Sequence, residues 1–143
     1  METPETMETS RPPLRVLVVD DDPVHRLILC EVLDMQGVEV HEAVDGLEAA
    51  KQVVQHEYDA MIIDRHMPGM DGLALCRYVR ETLQCWDLPI LFATGSSQPD
   101  FTALALLAGA SGFIPKPSTP ETVRERVLAA CRKNRQLKPD GVS

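Results

Sequence analysis

Aromatic residues are scarce in this chain, at 4% of positions with one Trp, two Tyr and three Phe. Its core must therefore be aliphatic, built from Val, Leu, Ile, Met and Ala. Basic residues are outnumbered, 14 Lys and Arg against 22 Asp and Glu, giving a formal charge of −8. Binding a phosphate backbone needs a basic patch, so direct nucleic-acid binding is not the expected task of this domain. The acidic excess is accounted for by solubility. No apolar run approaches the ~20 residues that a bilayer span requires. The opening "METPETMETSRPP" also lacks the hydrophobic core of a secretory signal. A cytoplasmic location without membrane attachment is the expectation. The four cysteines, Cys30, Cys76, Cys85 and Cys131, include no C-x-x-C pair and no nearby histidine that would complete a zinc pattern. At least three of them fall in helical stretches, where a buried thiol behaves as a small hydrophobe.

The 143 residues are 44% hydrophobic, enough to close one core. Residues 1–13 read as a flexible polar leader, 14–133 as the folded domain, and 134–143, beginning "NRQLKPDGVS", as a tail or linker stub. Within the domain, strand-length apolar runs alternate with helix-length amphipathic ones. Val16 to Val19 is a β-branched run without polar alternation, as for a strand covered on both faces. Asp22-Pro23 predicts an N-cap with Pro at the first helical position, and Gly37 ends that helix. Val38 to Ala43 follows as a second strand. Asp45 and Glu48 have capping-box spacing and open a helix to about His56. A third strand, Ala60 to Ile63, precedes a helix from Gly72 to Leu83. Pro89 to Ala93 and Gly112 to Ile114 are the last strands, with helices from about Asp100 to Ala108 and from Thr119-Pro120 onward.

Five strand-then-helix repeats with right-handed crossovers predict a doubly wound α/β domain, a flavodoxin-like (βα)5 parallel sheet of order 2-1-3-4-5. The glutamates of the second strand and Pro115 in the fifth agree, since both belong at sheet edges.

Ligands bind such sheets outside the carboxyl ends of the strands. The first strand ends in Asp20-Asp21-Asp22, the third in Asp64, the fourth in Thr94-Gly95-Ser96, and the fifth in Lys116-Pro117. Singly, each has a plain structural explanation: a turn residue, a helix cap, a strand-end hydroxyl, a solvated edge lysine. Together, on neighbouring strands, they suit a divalent cation and a phosphoryl group. Mg²⁺ takes few carboxylates and completes its octahedron with water and phosphate oxygen. Asp21 and Asp64 are good ligands, with Asp20 a ligand or a water-mediated neighbour. Lys116 offers a point charge to phosphate, Thr94 a neutral donor, and an aspartate can itself be the nucleophile.

Asp20-Asp21 after "VLVV", Asp64 in "MIIDRHMPGMDG", Thr94 after "ILFA" and the segment "FIPKP" resemble the receiver domain of two-component response regulators, including the chemotaxis regulators. The resemblance covers roughly residues 14 to 133, with 43 residues from Asp21 to Asp64, 30 on to Thr94 and 22 on to Lys116. It implies a signalling switch rather than a metabolic enzyme. Asp64 would be the phosphoacceptor, charged by a histidine kinase, a histidine phosphotransfer protein or a small donor such as acetyl phosphate. Mg²⁺ would be held by Asp20, Asp21, Asp64 and the backbone carbonyl of His66. Lys116 would bridge carboxylate and phosphate, and Thr94 would move in to bond the phosphoryl oxygen. Phe113 matches the aromatic switch position, and His66 and Ser96 match two positions that tune phosphoryl lifetime. A cis Lys116-Pro117 bond is implied as well, as is an effector docking on the fourth helix, fifth strand and fifth helix, with a homodimer left open.

Gly95 stands where Ala or Ser is usual, Phe113 lacks a tyrosine hydroxyl, Pro115 stiffens the approach to Lys116, and Ser118 replaces a frequent aromatic. These departures bear on the size of the conformational response and remove no reacting group. Two other classes compete. A Mg²⁺-dependent phosphohydrolase with an aspartyl nucleophile often carries a second acid two residues on, where this chain has His66. A receiver-like scaffold that is never phosphorylated would be expected to have lost the acid cluster or Lys116.

Overall fold

The computed structural model describes residues 13–35, 37–65, 71–95 and 99–137. Five parallel strands, β1 (Arg15–Val19), β2 (Glu39–Ala43), β3 (Ala60–Asp64), β4 (Ile90–Thr94) and β5 (Gly112–Pro115), form one sheet of order 2-1-3-4-5. Five helices connect and follow them: α1 (Pro23–Asp34), α2 (Gly46–Gln55), α3 (Gly72–Arg77), α4 (Pro99–Ala108) and α5 (Pro120–Leu137). This is the flavodoxin-like arrangement that the alternation predicts.

Side-chain alternation along the strands divides the aliphatic core in two. Leu17, Val19, Met61, Ile63, Ile90 and Phe92 pack on one face against Ala49, Leu75, Cys76 and Ala105 of α2, α3 and α4. Val16, Val18, Ala60, Ile62, Leu91 and Ala93 pack on the other against Leu29 and Leu33 of α1 and Val127 and Cys131 of α5. Central β3 is buried along its whole length, whereas edge strands β2 and β5 are partly exposed. Pro115 thus falls on an edge, where its missing N–H disturbs no central ladder.

The helix starts follow from local chemistry. The Asp22 carboxylate accepts the Val24 and His25 amides at 3.0 and 3.4 Å. Asp45 accepts the Glu48 amide at 2.8 Å, but the Glu48 carboxylate turns to the Val44 amide at 2.7 Å instead of closing the reciprocal bond to Asp45. Gly37, at φ +75°, terminates α1 in the left-handed region.

The strands differ from the sequence reading by a single residue at an end, and two helices differ by more. The helix expected from Gly72 to Leu83 widens at Tyr78 into a π-helical turn, Tyr78–Thr82. There Arg80 is turned inward, 3% exposed, and its guanidinium donates to the carbonyls of Gly109 and Cys85 at 2.8–3.0 Å. The last helix runs to Leu137, so the tail expected from residue 134 begins inside it. Arg135 anchors that final turn with a two-pronged contact to Asp59 at 2.6 and 3.0 Å. Composition alone hides this, because the partner lies 76 residues away.

Candidate functional site

Strand register puts the chemistry-bearing residues side by side. Val19 aligns with Ile63, Asp64 with Ala93, and Thr94 with Pro115, so the residues at or just beyond these pairs lie along the carboxyl edge of β1, β3, β4 and β5. Asp20, Asp21 and Asp64 present carboxylate oxygens all within 4.8 Å of one another, the one group of potential metal ligands among the described residues. Asp20 is 1% exposed and Asp64 9%, while Asp21 is open to solvent. Lys116 reaches the cluster from β5, with Nζ donating to Asp64 Oδ1 at 2.9 Å. Its peptide bond to Pro117 is cis.

Packing behind Asp64 is tight. A Cβ on Gly72, at the start of α3, would lie 2.8 Å from both the Asp64 carbonyl oxygen and Phe92 Cε1. Helix α3 therefore approaches the end of β3 as closely as only glycine permits. Gly95 is different, since a Cβ there would meet Lys116 Cβ at an ordinary 3.7 Å. Space does not demand glycine at that position.

Thr94 ends β4 half-buried, and Phe113 sits half-buried on β5 against the core. His66 and Ser96, expected to supply a metal-facing carbonyl and to tune phosphoryl lifetime, lie outside the described residues.

The structure adds contacts that the sequence reading missed. His25 Nδ1 bonds Asp20 Oδ2, while Asp20 Oδ1 accepts the Asp22 amide at 2.9 Å. Arg26 donates to the Asp20 carbonyl at 2.7 Å and pairs with Glu42 at 2.8 Å. Asp20 is thus held on both oxygens, by the Asp22 cap amide and by His25 of α1, which leaves Asp21 and Asp64 the more accessible carboxylates. The available signal was positional: His25 and Arg26 lie in the first turn of a helix capped beside the strand end. Arg65, directly after Asp64, places its guanidinium 4.2 Å over the Phe101 ring.

The cysteines take no part. None is in a disulfide, and burial pushes the Cys30 and Cys131 thiols up to about 12 and raises Cys76 as well. Among the described residues no helix is long and apolar enough to cross a membrane.

Residues 16–128 match the response regulator receiver domain family. The chain is 39% identical over 127 residues to response regulator MprA of Mycobacterium leprae, covering 89% of this chain and 54% of that protein. It spans about half the length of the curated relatives it matches. Among solved structures, chemotaxis protein CheY4 of Vibrio cholerae superposes with a TM-score of 0.79 at 32% identity, over 82% of this chain and 98% of that one. The receiver domain of a signal transduction histidine kinase from Syntrophus aciditrophicus does so at 0.78 and 26%, over 90% and 96%. Family, sequence relatives and structural neighbours agree with the acid cluster at the sheet edge, and the chain belongs to the response regulator receiver family of two-component signalling.

Proposed function

We propose that Asp64 is the phosphoacceptor and that its phosphorylation switches a partner-binding surface. One observation carries this reading: Lys116 Nζ lies 2.9 Å from Asp64 Oδ1, inside a pocket of three carboxylates at the carboxyl edge of the sheet. The Lys116 contact engages one Asp64 oxygen and leaves the other to attack phosphorus. With a phosphohistidine donor, the new O–P bond forms as the P–N bond breaks, and the departing imidazole nitrogen keeps the electron pair and takes a proton. With acetyl phosphate, acetate leaves instead. Hydrolysis of the acyl phosphate by water returns the Asp64 carboxylate and releases phosphate.

Three clustered carboxylates are hard oxygen donors that repel one another, a set suited to Mg²⁺. Asp20, Asp21 and Asp64 would hold the ion, and it would supply neutralising charge to the transferring phosphoryl oxygens. Lys116 adds the protein's own cation, and the Thr94 hydroxyl supplies a donor at the neighbouring strand end.

The donor is a histidine kinase or a histidine phosphotransfer protein, met in the cytoplasm. The effector surface is α4, β5 and α5, where Leu104 and Leu107 of α4 are 45% and 84% exposed and Phe113 of β5 is half-buried. The direct test is incubation with acetyl phosphate and Mg²⁺ followed by intact mass. A phosphoryl adduct that disappears in Asp64→Ala supports the switch. No adduct in the wild-type protein overturns it in favour of a non-phosphorylated scaffold.

A further inference from the structure

A cavity of about 440 Å³ lies between α5 and the amino ends of β4 and β5, at the opposite edge of the sheet from the acid cluster. Its origin is local. Ile114 packs on the α5 side of the sheet, so Gly112, two residues earlier on β5, lies on that same face with no side chain to fill it. Helix α5 contributes the small side chain of Ala130, and Pro89 and Leu91 line the sheet side. A space of this size with apolar walls falls in the range of small-molecule sites. The polar groups around it form two sets. Ser111 Oγ accepts the Ile90 amide at 3.0 Å and an Arg80 N–H at 3.4 Å, and Arg126 donates to the Phe113 carbonyl at 2.8 Å. Those two are engaged by the fold, and three others are not. Asn134 is 4% exposed, yet its side-chain carbonyl oxygen accepts no hydrogen bond from any described residue. Asp87 and Lys133 are exposed at the cavity and form no hydrogen bond or ion pair with any described residue. The charge of Asp87 reaches Arg80, but the Arg80 donors go to Gly109, Cys85 and Ser111. One cavity thus brings together an unmatched anion, an unmatched cation and a buried acceptor that lacks a donor.

We propose that this cavity binds a free amino acid with an apolar side chain. Its carboxylate pairs with Lys133, and its ammonium group lies between Asp87 and the Asn134 oxygen. Its side chain packs on Pro89, Leu91 and Ala130. Each end of a zwitterion meets the opposite charge here, which neither an acid nor an amine alone can do at both ends. An ammonium N–H also supplies the donor that Asn134 lacks, and a buried acceptor gains most from being satisfied. Asp64 takes no part, so the site stands apart from the phosphorylation reading.

Trp86, the single tryptophan of the chain, is 60% exposed and directly precedes Asp87, so its emission reports on the cavity. Titrating the full chain with L-leucine and L-phenylalanine is expected to give saturable binding, read by Trp86 emission and by calorimetry. Phenethylamine and phenylpropionate each lack one charged end of phenylalanine and should bind at least about tenfold more weakly. Lys133→Met and Asp87→Asn should each weaken phenylalanine binding by about tenfold as well. Both side chains are exposed and unpaired, so these variants should keep the wild-type Tm. Asn134→Leu removes the lone acceptor and should also weaken binding, while its urea midpoint holds or rises. Absence of binding by either amino acid overturns the proposal. Equal binding of phenylalanine, its amine and its acid does so too, because it leaves an apolar groove without charge recognition. Binding undiminished in both Lys133→Met and Asp87→Asn places the ligand elsewhere and has the same consequence. Asp64→Asn should bind phenylalanine as the wild type does, and a loss there would put the amino acid at the acid cluster instead.

Discussion

Two aspartates bracket the central strand, and their surroundings are opposite. Asp59 precedes β3 and Asp64 ends it, with exposures of 8% and 9%. Asp59 is closed: Arg135 grips both of its oxygens, and the Arg15 amide donates to one of them at 2.9 Å. One carboxylate faces one guanidinium, and the amino end of the sheet is neutralised by the chain itself. Asp64 shares its neighbourhood with Asp20 and Asp21, and Lys116 is the cation on it. Burial of an acid therefore says little about function, because both are buried equally. What separates them is whether the protein completes the charge balance or leaves it for something else to complete.

The comparison breaks most sharply by mutating each acid. Asp64→Asn is expected to abolish the phosphoryl adduct entirely, read by intact mass after acetyl phosphate and Mg²⁺. Its urea midpoint should be unchanged or raised, since one of three repelling charges is gone. Asp59→Ala should do the reverse. Removing one partner of a largely buried pair takes the counter-charge from the Arg135 guanidinium, costing about 3 kcal/mol by denaturant titration. The fraction still folded should take up phosphate at the wild-type rate. An Asp64→Asn protein that unfolds, or an Asp59→Ala protein that is fully stable yet inert, would invert the assignment of the two ends.

The same contrast explains what the sequence made legible. The alternation of apolar runs, the caps at Asp22 and Asp45, and the edge character of β2 and β5 are local signals, and each is where it was expected. The acid cluster was legible because a parallel sheet converts strand-end positions into neighbours without any knowledge of side chains. The missed features all depend on tertiary partners. Arg135 looks like a tail residue until Asp59 is beside it. Arg80 looks like a solvent-facing helix residue until the π turn and the Gly109 carbonyl are seen. His25 looks like an ordinary helix imidazole, and only the closeness of α1 to the end of β1 brings it onto Asp20.

A smaller effect tests the tight packing behind Asp64. In Gly72→Ala the added methyl collides with the Asp64 carbonyl and the Phe92 ring, each 2.8 Å from its position. Neither neighbour is the loose end of a flexible chain, so a loss of about 2 kcal/mol is expected from overpacking. The displacement falls on the end of β3, so adduct formation should also slow. Gly95→Ala makes the control, because its methyl meets only ordinary contact and should leave stability nearly unchanged.

The gentlest test alters no residue. If the three carboxylates of the carboxyl edge outnumber the Lys116 cation there, while Asp59 at the amino edge is matched by Arg135, Mg²⁺ should stabilise the fold by binding at the carboxyl edge and not elsewhere. At ten times its dissociation constant the ion would add about 1.4 kcal/mol, or about 5 °C in Tm for a chain of this size. Asp64→Asn should lose most of that increment, because the ligand set drops from three carboxylates to two. Asp59→Asn should melt lower than wild type yet gain the same increment, since its carboxylate lies at the other end of the strand. A metal response that tracks Asp59, or one that survives in Asp64→Asn undiminished, would place the cation away from the acid cluster. An equal response in Asp59→Asn and wild type, lost in Asp64→Asn, would tie the unbalanced charge at the end of β3 to the bound metal ion.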